Sequence, residues 1–364
     1  MKRLLCLLAA LALALPLAAA PAVAAPAAPE KWDTHVFATV PEPGFPAYVH
    51  VHTNGRVYAG TYIDPQGAGV PSRVFEWSGS GQLLRSWAVP QQLLSGDHGV
   101  QVANQTRGGK LVLLETSTSS VLTLDVTTGR FHRVARIPDL PTCLAGGSPC
   151  SPNLVDAPAV PNYATWGPHG ALFVTDYAQA VIWRIARGGR PTPWFTSRAL
   201  DGTEFGTTGI RYRPRRHDLL ISQQASLGLD SLPTNGHLYR LPVRADGRPG
   251  ALSTLWTSQP GELPDGFGIG RSGHVYVAMA GLSAQLVELS ASGKELDRFP
   301  DTPLTGENGS AIPFDTPCSA TFLGTRVLVA NQSAVLGDAT HQAILEVQVG
   351  ERGRAAYLPR GAHF

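Results

Sequence analysis

Short apolar runs, each closed by Gly, Pro or an Asp-containing turn, recur along the whole chain beyond its N-terminal stretch. The clearest unit is residues 162–185, NYATWGPHGALFVTDYAQAVIWRI. Residues 162–166 alternate as a strand, and Gly167-Pro168-His169-Gly170 has the composition of a reversal. A second strand over 171–175, a loop at 176–179 and a third strand over 180–185 follow. Gly188-Gly189 turns the chain into a fourth, 193–196. Such an antiparallel meander has two apolar faces and cannot bury both alone.

The chain answers this by repetition. The second-strand pattern of Gly170-Ala171-Leu172-Phe173-Val174 returns at Gly55, Gly109, His217, Gly273 and Thr325. In chain order the six starts are separated by 54, 61, 47, 56 and 52 residues, the length of a four-stranded blade. No helical periodicity competes over a comparable length. The pattern predicts an all-β chain, a six-bladed β-propeller of mostly four-stranded blades, rather than a β-sandwich. Residues 34–39 form a strand ahead of the first copy and are expected to complete blade 6, which removes an exposed edge. Residues 355–358 compete for that place.

Lys2 and Arg3 precede an apolar run over residues 4–17, and Ala22-Val23-Ala24 suits a signal peptidase. Residues 1–24 are therefore expected to be a signal peptide, with one domain over 25–364. Pro16 and Pro21 interrupt the run before it could serve as an anchor. The chain is expected to be secreted or extracytoplasmic, with no membrane insertion after cleavage. Charged residues are only 15%, and the formal charge of +2 includes Lys2 and Arg3. A near-neutral surface argues against a nucleic-acid partner and leaves a small-molecule ligand or substrate.

The longest irregular segment, 138–161, holds Cys143 and Cys150. In an oxidising compartment their spacing allows a local disulfide, with Cys318 left over, although pairing with Cys318 is also open. In a propeller the segments leading into the innermost strands converge at one mouth of a central channel. Here these are Pro46-Ala47, His98-Gly99, Pro161-Asn162, Thr207-Thr208, Pro264-Asp265 and Thr316-Pro317. A second ring comes from the turns after the second strands: residues 62–64, 115–117, Asp176-Tyr177, Gln223-Gln224, Met279 and Asn331-Gln332. Convergent polar groups there are the default site.

The motifs Asn162-Tyr163-Ala164-Thr165-Trp166-Gly167-Pro168-His169-Gly170 and Pro264-Asp265-Gly266-Phe267-Gly268-Ile269-Gly270 resemble blades of the senescence marker protein/gluconolactonase group. The resemblance implies a lactonase-type hydrolase with a divalent ion, often calcium, at the channel mouth. It places Asp265 as metal ligand and catalytic base, and Asn162 as a substrate-binding residue. The family's Glu and Asn ligand positions are occupied here by Ala47 and Thr208, which leaves the metal set incomplete. Glu42 lies five residues before Ala47, too far back along the loop, and Asp97, Asp176 and Glu204 are the carboxylates that could contribute instead. Thr208, Asp97 and His98 join the substrate-binding set. His50 and His52 share one strand face without a third ligand, and Ser117, Ser119 and Ser120 lack a nucleophile-elbow context. Two functions lead, a small-molecule hydrolase of lactonase or esterase type and a non-catalytic ligand- or protein-binding propeller, and a third, another reaction such as a cyclisation or lyase step, stays open.

Overall fold

The computed structural model describes residues 29–62, 69–202, 205–227, 232–335 and 337–364. The expected signal peptide lies outside them, as does Glu204. Twenty-four strands form six four-stranded antiparallel sheets among the described residues. Five sheets run in chain order from the innermost strand outward. The innermost strands are Pro46–Val51, Val100–Gln105, Pro161–Trp166, Thr207–Arg213, Pro264–Ile269 and Pro317–Leu323, of blades 1 to 6. Each contacts the next, and blade 6 contacts blade 1, so the ring closes around a channel.

Closure uses Thr34–Thr39, which pairs antiparallel with Ala343–Gln348 as the outer strand of blade 6. Residues 355–358 form no strand. They belong instead to a C-terminal segment that crosses the channel at the ends of the innermost strands. Arg354 N donates to Ile269 O (2.8 Å), and Arg107 N donates to Ala362 O (2.7 Å). Tyr357 packs on Tyr212, and Phe364 on Trp166, with ring centroids 5.1 Å apart in both pairs. Gly170 is needed beneath this segment: a Cβ there would lie 2.3 Å from Gly361 O, and its φ is +73°.

The burial gradient explains why short apolar runs suffice. Second strands such as Leu172–Asp176 are buried throughout because a neighbouring blade covers each face, whereas the outer strand Pro191–Thr196 has no fully buried residue. Trp77, Trp166 and Trp183 are the largest side chains enclosed between blades.

Cys143 and Cys150 form a disulfide. The loop they close is bound to blade 3: Ser151 Oγ donates to Gln179 O (2.8 Å), and Gln179 Nε2 donates to Ala157 O (3.0 Å). Cys318 is a buried free thiol. Among the described residues no helix is long and apolar enough to cross a membrane.

Candidate active site at the channel mouth

All six innermost strands carry a register irregularity, near the start in five of them and past the middle, between Val102 and Asn104, in blade 2. The interruptions fall between Ala47 and His50, Pro161 and Ala164, Thr207 and Ile210, and Pro264 and Phe267 in blades 1, 3, 4 and 5. A bulge re-aims one side chain out of the alternating pattern. The residues inside these bulges include Tyr48, Asn162, Thr208 and Asp265, which is how four distant segments meet.

Asp265 is 6% exposed and lies at the centre of this group. Its Oδ2 accepts from Gln224 Nε2 at 2.8 Å, and Gln224 Oε1 in turn accepts from the Tyr177 hydroxyl at 3.0 Å. Its Oδ1 is bonded to the Tyr48 hydroxyl, which also lies 3.0 Å from Asn162 Oδ1. Tyr62, from the second ring, lines the same cavity as Asn162. Burial pushes the Asp265 carboxyl up to about 7, against the pull of the bonds from Tyr48, Gln224, Thr208 and Gly266 N. Gly266 is dictated by this crowding, since a Cβ would lie 2.6 Å from the Tyr48 ring and 2.9 Å from Cys318 O.

Tyr48 has one proton and two oxygen neighbours. When Asp265 is ionised, the phenol donates to it. When Asp265 is protonated, its proton points to the phenol oxygen and the phenol donates to Asn162. The two charge states of Asp265 thus correspond to two proton arrangements of one relay. Tyr48 has φ +38°, a left-handed backbone in a non-glycine residue, which its ring contact with Tyr163 and its hydrogen bonds hold in place.

Above this network is a cavity of about 290 Å³. Tyr48, Tyr62, Tyr177 and Phe205 form its aromatic walls, Asp265, Asn162, Gln101 and Gln224 its polar groups, and Cys318 part of its floor. An aromatic enclosure with a few converging polar groups is what a small ligand requires.

The donor set does not fit a hard cation. Among the described residues, Asp265 is the single carboxylate that lines the cavity, and both its oxygens are already bonded to protein donors. Ala47 lines the cavity without a ligand atom, and the Thr208 hydroxyl lies 3.0 Å from Ser222 Oγ. One committed carboxylate cannot replace the oxygen shell of calcium or magnesium. A separate group, His274, Glu288 and Glu351, brings ligand atoms within 4.8 Å of one another away from the mouth. There the Lys31 ammonium, 2.6 Å from Glu288, already supplies the positive charge.

Other expected residues are placed elsewhere. Asp97 is exposed, and neither it nor His98 lines the cavity. The His98 ring nitrogens lie 2.9 and 2.6 Å from the carbonyl oxygens of Gly96 and Val70, which ties two loops together. Asp176 is fully buried and accepts from Val160 N, Ala178 N, Gln179 N and Trp183 Nε1, so it organises the turn that carries Tyr177. Glu115 likewise binds the backbone and hydroxyls of its own turn at Ser117 and Thr118. His50 and His52 do share a neighbourhood, with ring centroids 6.0 Å apart, but each is held by blade 2, through Gln105 Oε1 and Gly109 O respectively.

The residue that sequence reasoning missed is Tyr48. In blades 3 and 5 the side chain that reaches the mouth directly follows a Pro, at Pro161-Asn162 and Pro264-Asp265. In blade 1 it comes one residue later, after Pro46-Ala47. An aromatic residue beside the expected ligand position was the available signal, and the bulge that turns it inward has no mark in the sequence.

No protein-family model matches this chain, and no curated protein matches its sequence. Solved structures do share its fold. A calcium-binding protein, regucalcin, from Agrobacterium tumefaciens superposes with a TM-score of 0.59 at 17% identity, over 90% of this chain and 99% of that one. A candidate gluconolactonase gives 0.57 at 14% identity, covering 89% and 94%. Virginiamycin B lyase from Staphylococcus aureus gives 0.51 at 14%, covering 82% and 79%. The chain has the six-bladed fold of the regucalcin and gluconolactonase structures. At these identities the likeness is one of architecture, and the same architecture carries quite different activities.

Proposed function

We propose that the channel mouth is the active site of an exported small-molecule hydrolase of lactonase or esterase type, with Asp265 as its proton-transferring group. The observation that carries this is the Asp265 carboxyl, buried under an aromatic cavity, bonded to a phenol, and raised to about 7. A group with such a pKa passes a proton either way near neutral pH. Hydrolysis would proceed with Asp265 taking a proton from water as its oxygen adds to the carbonyl carbon. The same proton is then returned to the departing alkoxide, and the Tyr48 hydroxyl switches its hydrogen bond from Asp265 to Asn162 Oδ1 while Asp265 is protonated, and back when it ionises. Asn162 and Gln224 orient the ester, and no step needs a metal. Among the structures that share this fold are ones named for lactonase and lyase activities, which supports a hydrolase- or lyase-type chemistry for the propeller. The disulfide suits an oxidising compartment, and the N-terminal run supplies the export signal.

The second reading, a binding propeller, draws on the complete satisfaction of Asp265 by protein donors. A panel of lactones and aryl esters, assayed from pH 5 to 9 with wild type and Asp265→Asn, separates the two. Hydrolysis should rise through about pH 7 as the carboxylate forms, and fall by about 10²–10⁴-fold in kcat/KM in the variant. Ligand binding without turnover, or turnover indifferent to Asp265, would make the binding reading the better one.

The same group has a cost in stability. Its folded pKa lies above the ordinary value of 3.8, so its contribution is fully present below about pH 4 and is lost as pH rises through 7. Asp265→Asn should therefore be more stable than wild type at pH 8, a gain that shrinks on acidification, readable as thermal midpoints.

A further inference from the structure

Below the Tyr48 plug, the channel contains a second feature that the acid–base chemistry does not use. Arg211 lies on the innermost strand of blade 4 and is half-buried. Its guanidinium sits 4.5 Å from the centroid of the Tyr163 ring, the ring that on its other contact meets Tyr48 at 4.2 Å. Its charge is felt by His50 of blade 1, a fully buried side chain. In a six-bladed ring blades 1 and 4 are opposite, so this interaction crosses the lumen. Among the described residues, no carboxylate pairs with Arg211 and no acceptor bonds its N–H groups. The other partly buried guanidiniums that reach an acid, those of Arg56, Arg298 and Arg326, do so within 3.9 Å.

The groups that the described residues place around Arg211 are neutral. Burial, aided by His52 and Arg211, holds His50 down at about 3, so it stays neutral. Its Nε2 is 3.2 Å from the neutral amide oxygen of Gln105. Tyr163 offers a π face to the guanidinium, which compensates one side of the plane and leaves the in-plane donors free. A guanidinium does not deprotonate, so a lumen that encloses one must supply a counter-charge or water.

We infer that the lower channel, between Arg211, Tyr163 and His50, is a binding site for a small monoanion such as a carboxylate, nitrate or halide. Two parallel N–H bonds from one guanidinium suit a planar oxyanion best, and a halide can sit in the same fork. The Tyr48–Tyr163 pair separates this anion from Asp265, so the site is distinct from the mouth and stands whether or not the mouth is catalytic.

The test uses the full chain with sodium bromide and sodium nitrate as probes. Crystals soaked in bromide should show an anomalous peak within hydrogen-bonding distance of the Arg211 guanidinium. Thermal midpoints should rise with nitrate in wild type, saturably, and this saturable part should vanish in Arg211→Gln. Because that variant could perturb folding, Arg211→Lys provides a second check: it keeps the charge, loses the fork, and should bind nitrate at least several-fold more weakly than wild type. Bromide confined to the outer surface, or an identical nitrate response in wild type and Arg211→Gln, would overturn the assignment.

Discussion

The two ends of the channel are built from the same six strands yet differ in almost every respect. At their start the innermost strands bulge and send Tyr48, Asn162 and Asp265 into a shared hydrogen-bonded network beneath an open aromatic cavity. At their finish they present Trp166 and Tyr212, and the C-terminal segment covers these with Phe364 and Tyr357. One end spends stability on a buried carboxyl and a left-handed tyrosine, and the other gains it from apolar contact. A closed ring makes this division possible, because strands locked between neighbours tolerate irregularity at one end while the other is sealed.

The largest effect that would break this comparison is at the sealed end. Trp166 is fully buried, and its Nε1 donates to Gln105 O at 2.7 Å. Trp166→Ala should cost about 3–5 kcal/mol in denaturant unfolding, while activity or ligand affinity per folded molecule stays near wild type. A large loss at the mouth instead would show that the two ends are coupled.

Next comes the staple beside the mouth. Replacing both Cys143 and Cys150 by Ser should cost about 2–3 kcal/mol on the loop-closure model. The expected companion is faster proteolysis within residues 138–161, since hydrogen bonds such as those of Ser151, Asn153 and Gln179 would then be left to bind the loop to blade 3. Equal stability of oxidised and reduced protein would show that the loop is held by those hydrogen bonds instead.

The smallest effect sharpens the picture most. Tyr48→Phe keeps the ring contact with Tyr163 but removes the donor to Asp265. Loss of one bond to an ionised carboxylate should cost about 1.5–3 kcal/mol in that charge state, so the midpoint of the pH profile should move up from about 7. An unchanged midpoint with lowered kcat would assign Tyr48 to substrate contact rather than to the relay.

Much of this was legible before any coordinates. Repetition of the second-strand pattern specified six blades, because an apolar five-residue run between turns can be satisfied only by a sheet covered on both faces. The strand Thr34–Thr39 was assigned by the need to finish blade 6, and Asp265, Asn162, Tyr62, Tyr177 and Gln224 were grouped at the mouth by their place in each blade. What only the tertiary structure decided lies where the period-2 rule fails. A bulge shifts a side chain by one position, and so Tyr48 rather than Ala47 reaches Asp265. His98 had the right offset, yet its ring is taken up by the carbonyls of Gly96 and Val70. The C-terminal segment matched a strand in composition and became a cover, because Thr34–Thr39 already held the edge. Blade number follows from a repeat that every copy reports, whereas each of these outcomes depends on a single contact between residues far apart in the chain, and no local pattern encodes it.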